Sequence, residues 1–313
     1  MIPQVQTSKR KYTKRVDYVF ETKKALRRSL WYIVMSVIAM FMLYPFVFAF
    51  MGGLMDPELF TSLGTMMPIP NPAVIDNYMS FFTQQMWRPF LNTIARTAWY
   101  TIVNTYIAVT LGYFMARKSF WGKKQFFMII IIAQLIPGVL TLIPTFVMMA
   151  RFPLVGGNNI FGVGGSGFIN NPAVLFILIG GGQLMNAILF RQAMFSLPPS
   201  FEEAAEMDGC GYFQTMMKVI LPMQKPIIAF IAMTSAINTW NDWFTPFLYI
   251  SDLQYNTLPA YVGMLVTRFH EFTRPNYALV FALSTISTLP PVVIFLAFQR
   301  NIVQGLASAG IKG

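Results

Sequence analysis

Residues Leu197–Pro222 read LPPSFEEAAEMDGCGYFQTMMKVILP, a polar interruption between two long apolar runs. Pro198 and Pro199 close off the apolar run that ends at Phe195, because proline removes a backbone donor. Ser200 ahead of Glu202 and Glu203 predicts a helix start, with a hydroxyl N-cap and acids in the first turn. Ala204, Ala205 and Met207 suit a short helix. Gly209 and Gly211 end it, since glycine takes the left-handed conformation at little cost. A second amphipathic stretch, Tyr212–Leu221, is stopped by Pro222. The pattern predicts a helix–turn–helix with small residues on its surface and an acidic rim.

The flanking sequence decides the solvent. No charged side chain occurs from Ser29 to Met55, from Gln125 to Ala150, from Phe152 to Phe190 or from Pro275 to Gln299. About 20 apolar residues suffice to cross a bilayer core of roughly 30 Å. Of the 313 residues, 55% are hydrophobic and only 11% charged, against about 25% charged in a typical soluble chain. The expectation is an all-α, polytopic membrane protein with about six transmembrane helices. They are placed at Leu30–Phe50, Leu91–Met115, Phe126–Ala150, Ala173–Phe195, Ile227–Ile250 and Tyr277–Phe298. Before them lies a basic arm, 1–28, helical near Phe20–Arg28. Punctuated segments at 53–90, 151–171 and Ser251–Asn276 read as external.

The formal net charge of +11 follows topology rather than nucleic-acid binding. Nine Lys and Arg fall between Lys9 and Arg28, and four more at Arg117, Lys118, Lys123 and Lys124. With six spans, eighteen basic residues lie on one side. Five lie on the other: Arg88, Arg96 (grouped with the outer end of the second span), Arg151, Arg268 and Arg274. The positive-inside bias puts both termini and the 197–222 loop in the cytoplasm. The first apolar run is too long for a signal peptide and no small-residue cleavage site follows it, so it reads as an uncleaved anchor. Cys210 is the one cysteine, which excludes an intrachain disulfide, and His270 stands alone beside Glu271 without a metal-ligand cluster.

Polar residues inside the predicted spans carry two readings. Asn238, Asn241, Asp242 and Thr245 recur at helical spacing on one face, with smaller patches at Gln183, Asn186 and Gln134. They line a solute path, or they hydrogen-bond helix to helix. An ionised Asp242 in a span costs about 2.5–3.5 kcal/mol, so it lines a cavity or is held by a structural partner. Pro137, Pro144, Gly180-Gly181-Gly182, Pro246 and Pro290-Pro291 interrupt spans three to six, either as packing kinks or as hinges.

The spacing within the polar loop carries a resemblance. Glu203-Ala204-Ala205, three residues, Gly209, nine residues and Val219-Ile220-Leu221-Pro222 resembles the loop shared by membrane subunits of ABC importers, where Glu-Ala-Ala is followed by Gly and then Ile-x-Leu-Pro. Val219 in place of the usual isoleucine is the one departure. Three further stretches look like the smaller membrane subunit of maltose-type carbohydrate importers. They are Trp240-Asn241-Asp242-Trp243, Thr257-Leu258-Pro259 and the ending Phe298-Gln299-Arg300, Val303-Gln304-Gly305-Leu306 and Lys312-Gly313. Gly156–Asn171 and the basic arm match no part of that pattern.

The resemblance implies a type I ABC importer transmembrane fold, with a permease core at 91–298, a first helix at 29–52 and a tail at 299–313. It implies an ATPase-docking loop at 197–222 using Glu203, Ala204, Ala205, Asp208, Gly209, Leu221 and Pro222. It also implies tail contacts with the ATPases through Gln304, Gly305 and Lys312. The implied partners are two ATP-hydrolysing subunits, which hold ATP and Mg, a second related permease and a sugar-binding protein. No phosphate loop of the form GxxxxGK[ST] occurs in the chain, so it is expected to bind no nucleotide of its own. A membrane enzyme, an ion-coupled carrier and a permease for a non-sugar solute are the rival readings. Neither of the first two accounts for Glu203–Pro222.

Overall fold

Backbone amides and carbonyls cannot be left unpaired in hydrocarbon, so an apolar chain of this kind must close its hydrogen bonds within helices. The computed structural model describes residues 4–59, 69–83, 86–177, 182–267 and 276–310, and among them no strand occurs. The first helix, α1 (Gln4–Gly53), is a single rod, so the arm predicted to be helical only near Phe20–Arg28 runs unbroken into the first span. Then come α2 (Asp76–Thr83), α3 (Trp87–Arg117), α4 (Lys123–Leu135) and α5 (Gly138–Ala150). The chain continues through α6 (Val174–Ile177), α7 (Gly182–Met194), α8 (Ser200–Met207), α9 (Tyr212–Met223) and α10 (Lys225–Asn241). It closes with α11 (Phe244–Tyr249), α12 (Leu258–Thr267) and α13 (Tyr277–Gly310).

The helices pack in the order α7, α3, α10, α13, α1, each against the next. One core cluster joins Ala108, Val109 and Tyr113 of α3 to Phe190 and Met194 of α7, Met216 and Ile220 of α9, and Ile227 and Ile231 of α10. At the other end, Phe81 of α2, Met86, Leu258 of α12 and Leu283 of α13 form a second. Along α1, the side chains from Lys24 to Val47 are exposed, and the C-terminal end packs on α13, where Phe48 meets Phe281 edge-on at 5.4 Å, and on α2, where Asn77 and Tyr78 donate to the Gly53 and Phe50 carbonyls. The apolar surface of α4 and α5 is exposed too, at Ile129, Ile132, Leu135, Val139, Leu140 and Ile143. A helix apolar on its outer face belongs against lipid tails.

Lys24–Gly53 and Tyr277–Gln299 are long and apolar enough to cross a membrane as single helices. The third predicted span is instead two helices, α4 and α5, meeting at 94°. Pro137 is the physical reason, because its ring excludes the helical continuation and pushes Ile136 to an extended conformation (φ −75°, ψ 115°). The fifth predicted span also breaks, between α10 and α11. The four-residue polar face Asn238, Asn241, Asp242 and Thr245 therefore does not exist as one helical stripe. The tail expected from Gln299 is helical to Gly310, as an extension of α13.

One proline position shows how the carbonyl left over by a helical proline is satisfied. Pro291 has no amide for the carbonyl of Ser287, and the indole of Trp240 donates to it at 2.8 Å. The close packing of α3 on α7 depends on Gly112. A Cβ there would lie 2.6 Å from the Ala187 carbonyl oxygen and 3.1 Å from the Arg191 nitrogen. Gly112→Val is expected to lower stability by about 1–3 kcal/mol through overpacking, read as earlier thermal unfolding of the detergent-purified protein.

The segments read as external are not loose. Asn158 is buried and donates to the carbonyls of Ala150 and Phe152, while its own carbonyl accepts from Gly165. Asn170 donates from its backbone to Tyr249 and accepts from Ser251 and Asp252. Asn92 donates to the carbonyls of Gln254 and Asn256. The Gly/Asn-rich stretch and the segment after α11 are thereby tied to each other and to the start of α3.

Candidate functional site

The 197–222 segment is a helix–turn–helix, with three local differences from the expectation. Ser200 is already helical, Pro199 occupies the N-cap position, and no side chain caps the start. Only Gly209 is left-handed, at φ +80°, whereas Gly211 sits at φ −72° as the cap of α9. Pro222 does not stop α9, which ends at Met223 and meets α10 at 85°. The turn itself is a Schellman motif. The amide of Gly209 donates to Glu206 at 3.0 Å and that of Cys210 to Ala205 at 2.9 Å. Within α9, Met216–Ile220 widens to a π turn whose first and last residues both lie in the core.

One ion pair fixes this element on the bundle. Arg117, at the end of α3, donates from Nε to Glu202 Oε1 at 2.5 Å and from Nη2 to the Leu197 carbonyl at 2.8 Å. Both side chains are largely covered, at 14% and 16% exposure. The Tyr113 hydroxyl reaches Glu202 Oε2 at 3.4 Å, and its ring stacks on Tyr212 at 4.9 Å. Lys118 Nζ lies 4.5 Å from the Tyr212 ring centre. Partial burial, then the neighbouring Glu202 carboxylate, push the Tyr212 phenol up to about 12, so it is neutral at any physiological pH.

The two adjacent glutamates are thus sorted by the helix. Glu202 turns inward to Arg117, and Glu203 is exposed. Ala204, Glu206, Met207, Asp208 and Gly209 are exposed as well, Met207 at 89%. Ala205 is buried at 5%, so it packs α8 onto the bundle rather than offering a surface. Leu221 is half-buried against the main core and Pro222 is exposed. The outward face is therefore small and acidic, as the sequence predicts, but narrower.

The predicted path residues separate. Asp242 Oδ2 meets Arg96 Nη2 at 2.6 Å, and Asp242 Oδ1 accepts from the Thr245 amide at 3.1 Å, starting α11. Arg96 also donates to the carbonyls of Thr239 and Asp242, at 3.4 and 3.3 Å. The break after Asn241 leaves the Asp242 carbonyl without a helical partner, and Arg96, 3% exposed, supplies one, while the Thr239 carbonyl also accepts from the Asp242 amide at 3.3 Å. Asp242 is thus held as a structural anchor. Asn186 donates toward Asn104 Oδ1 and Ser235 Oγ, both at 3.4 Å, joining α7 to α3 and α10. Asn238 and Asn241 are exposed, three residues apart on α10.

Gln134 is exposed at the end of α4. Gln183 lies in α7 and Gln304 and Gly305 in α13, with side chains outside the described residues, as are His270, Glu271 and Lys312 altogether. The residue that sequence reasoning missed is Arg96, counted only as a charge near a span's end. A lone arginine and a lone aspartate in two otherwise apolar spans was the available signal, since buried opposite charges pair.

Comparison with known proteins agrees with this architecture. Residues 108–308 match the family model described as binding-protein-dependent transport system inner membrane component. The maltodextrin transport system permease protein MalD of Streptococcus pneumoniae is 26% identical over 293 residues, covering 93% of this chain and 98% of MalD. The arabinooligosaccharides transport system permease protein AraQ of Halalkalibacterium halodurans is 27% identical over 246 residues, covering 78% of this chain and 81% of AraQ. Among solved structures, a bacterial ABC transporter involved in import of the acidic polysaccharide alginate superposes with a TM-score of 0.68 at 22% identity. It covers 91% of this chain and 97% of that one. The matched region takes in more than half of the chain and contains all of α4 to α12, so this protein belongs to the family of binding-protein-dependent transport system inner membrane components.

Proposed function

We propose that this chain is the permease subunit of an ATP-driven importer of a sugar or oligosaccharide. One observation carries the coupling half of the reading. The face bearing Glu203, Ala204, Asp208 and Gly209 is exposed while its back is fixed by Arg117 and Glu202. A rigidly backed, small, acidic surface suits a cleft with basic groups on an ATPase. Force applied there passes through Arg117 directly into α3. In this reading α8 lies in the cytoplasm with both termini, two ATPase subunits hold ATP and Mg, and a second related permease completes the path. The solute class rests on the relatives, which carry names such as maltodextrin, arabinooligosaccharides and galactooligosaccharides permease. A binding-protein partner is supported by the family and by the likeness (TM-score 0.63) to an alginate transporter solved with its periplasmic protein.

The test is reconstitution of the complete complex with oligosaccharide-loaded binding protein. Glu203→Lys is expected to leave membrane levels unchanged and to cut uptake by at least about tenfold, a loss of roughly 1.4 kcal/mol of docking. Full uptake by that variant would remove α8 from the coupling role. Stimulation only by an amino-acid or phosphate receptor would remove the sugar and keep the permease.

A further inference from the structure

Arg96 and Arg117 each meet a carboxylate. Arg191, in the last turn of α7, meets none among the described residues. Its guanidinium lies between two rings instead, 4.3 Å from the centre of Phe127 on α4 and 4.8 Å from that of Phe195. The rings steady the charge without supplying a counter-ion. Nε is buried and has no hydrogen-bond partner, while the residue as a whole is only half-buried, so the site is open on one side. A guanidinium held in this way, with its donors unspent, fits an oxyanion, and above all a phosphate, which it meets bidentately.

More positive charge stands beside it. Phe127 follows Lys123 and Lys124 by one helical turn, so both lysines share its side of α4. No acid occupies the first turn of α4 and no side chain caps it, although a helix N-terminus is itself positive. Lys123 is tied to the Lys118 carbonyl at 2.8 Å. Lys124 is exposed and makes no hydrogen bond or ion pair among the described residues.

The surroundings distinguish a lipid phosphate from one in free solution. Trp121, in the turn before α4, is 98% exposed. An indole placed so belongs at the membrane–water boundary. Met128 and Ile132 follow Lys124 at i+4 and i+8, on its own face, and both are exposed. Along α4, charge and then apolar surface thus succeed one another in the order of a phospholipid's headgroup and tails. The turn at 118–122 follows Arg117, which pairs with Glu202, so this boundary lies on the α8 side of the bundle.

We infer that this boundary carries a site for an anionic phospholipid. Arg191 and Lys124 bind the phosphate, and Met128 and Ile132 meet an acyl chain. The inference rests on the chain being a membrane protein, not on which solute it carries.

The complete complex, purified in a non-ionic detergent and stripped of lipid, is titrated with dioctanoyl phosphatidylglycerol or dioctanoyl phosphatidylcholine. Bound lipid is counted by native mass spectrometry. The wild type is expected to bind phosphatidylglycerol several-fold more tightly than phosphatidylcholine. Arg191→Gln should remove the preferred phosphatidylglycerol, and Lys124→Gln should weaken it several-fold. Lys124 is exposed, so its effect is not a folding defect. Lys218→Gln removes an exposed charge from α9 and should leave lipid binding as in the wild type. Equal affinity for the two lipids, unchanged binding in either site variant, or the same loss in Lys218→Gln overturns the inference. Displacement of phosphatidylglycerol by inorganic phosphate at millimolar concentration also overturns it, in favour of a small-anion site. Loss of the second permease from the Lys124→Gln complex overturns it too, because protein rather than lipid would then cover this face.

Discussion

Gly209→Pro is expected to abolish uptake while leaving the protein in the membrane. Gly209 sits at φ +80°, and its amide donates to Glu206. Proline is confined near φ −65° and has no amide hydrogen, so it fails on both counts. The Schellman turn is then lost, and with it the angle between α8 and α9 that aims Glu203 and Ala204 outward. No other part of the bundle packs on Gly209 itself, because nothing lies within 4 Å of a Cβ built there. That open space supplies the graded control. Gly209→Ala meets only the left-handed strain of about 1–2 kcal/mol, so it should transport at a reduced but measurable rate. Uptake into proteoliposomes, ATPase stimulation by loaded binding protein and membrane level are read together. Gly209→Pro should show normal membrane level, basal ATPase and uptake at background. Wild-type uptake in that variant would mean that the geometry of the turn does not matter for coupling.

That the fold is helical, and where its apolar legs lie, was legible because hydrophobic runs of membrane length have few alternatives. The helix–turn–helix was legible for a similar reason, since Pro198-Pro199, Gly209 and the acidic first turn are local signals with local causes. What the sequence did not reveal were features whose causes are distant in the chain. Pro137 could be seen as a breaker, but no local signal sets the 94° between α4 and α5. The break at Asp242 contains no proline or glycine at all. There Arg96, about 140 residues earlier in sequence, donates to the Thr239 and Asp242 carbonyls. Glu202 and Glu203 could not be told apart by type. Only the position of Arg117 makes one an anchor and leaves the other free. Likewise no local signal marks Gly263, on which the Trp243 ring lies.

The Arg96–Asp242 pair gives the largest expected loss of stability. Arg96 is 3% exposed and Asp242 29%, so the two single truncations are not equivalent. Asp242→Ala leaves a buried guanidinium without its counter-charge, and such breakage costs about 3–5 kcal/mol. Arg96→Ala leaves a carboxylate that water can reach, together with the Asp242 carbonyl unpaired, a cost of about 1–3 kcal/mol where burial is complete, while the Thr239 carbonyl keeps the Asp242 amide as donor. The two effects share one partner and should not add. A double Arg96→Leu, Asp242→Leu variant removes both charges and should be more stable than Asp242→Leu alone. Thermal unfolding of the detergent-purified variants gives the comparison, and uptake gives a second axis. If Asp242 touched solute, Asp242→Asn would change which sugar is carried without changing the unfolding temperature. With Asp242 as an anchor, Asp242→Asn lowers the unfolding temperature and slows every sugar by the same factor. Additive single losses would show that the two residues are not coupled, and the break between α10 and α11 would then need another cause. Non-additive losses would identify the Arg96–Asp242 pair as what holds the chain where α10 ends at Asn241.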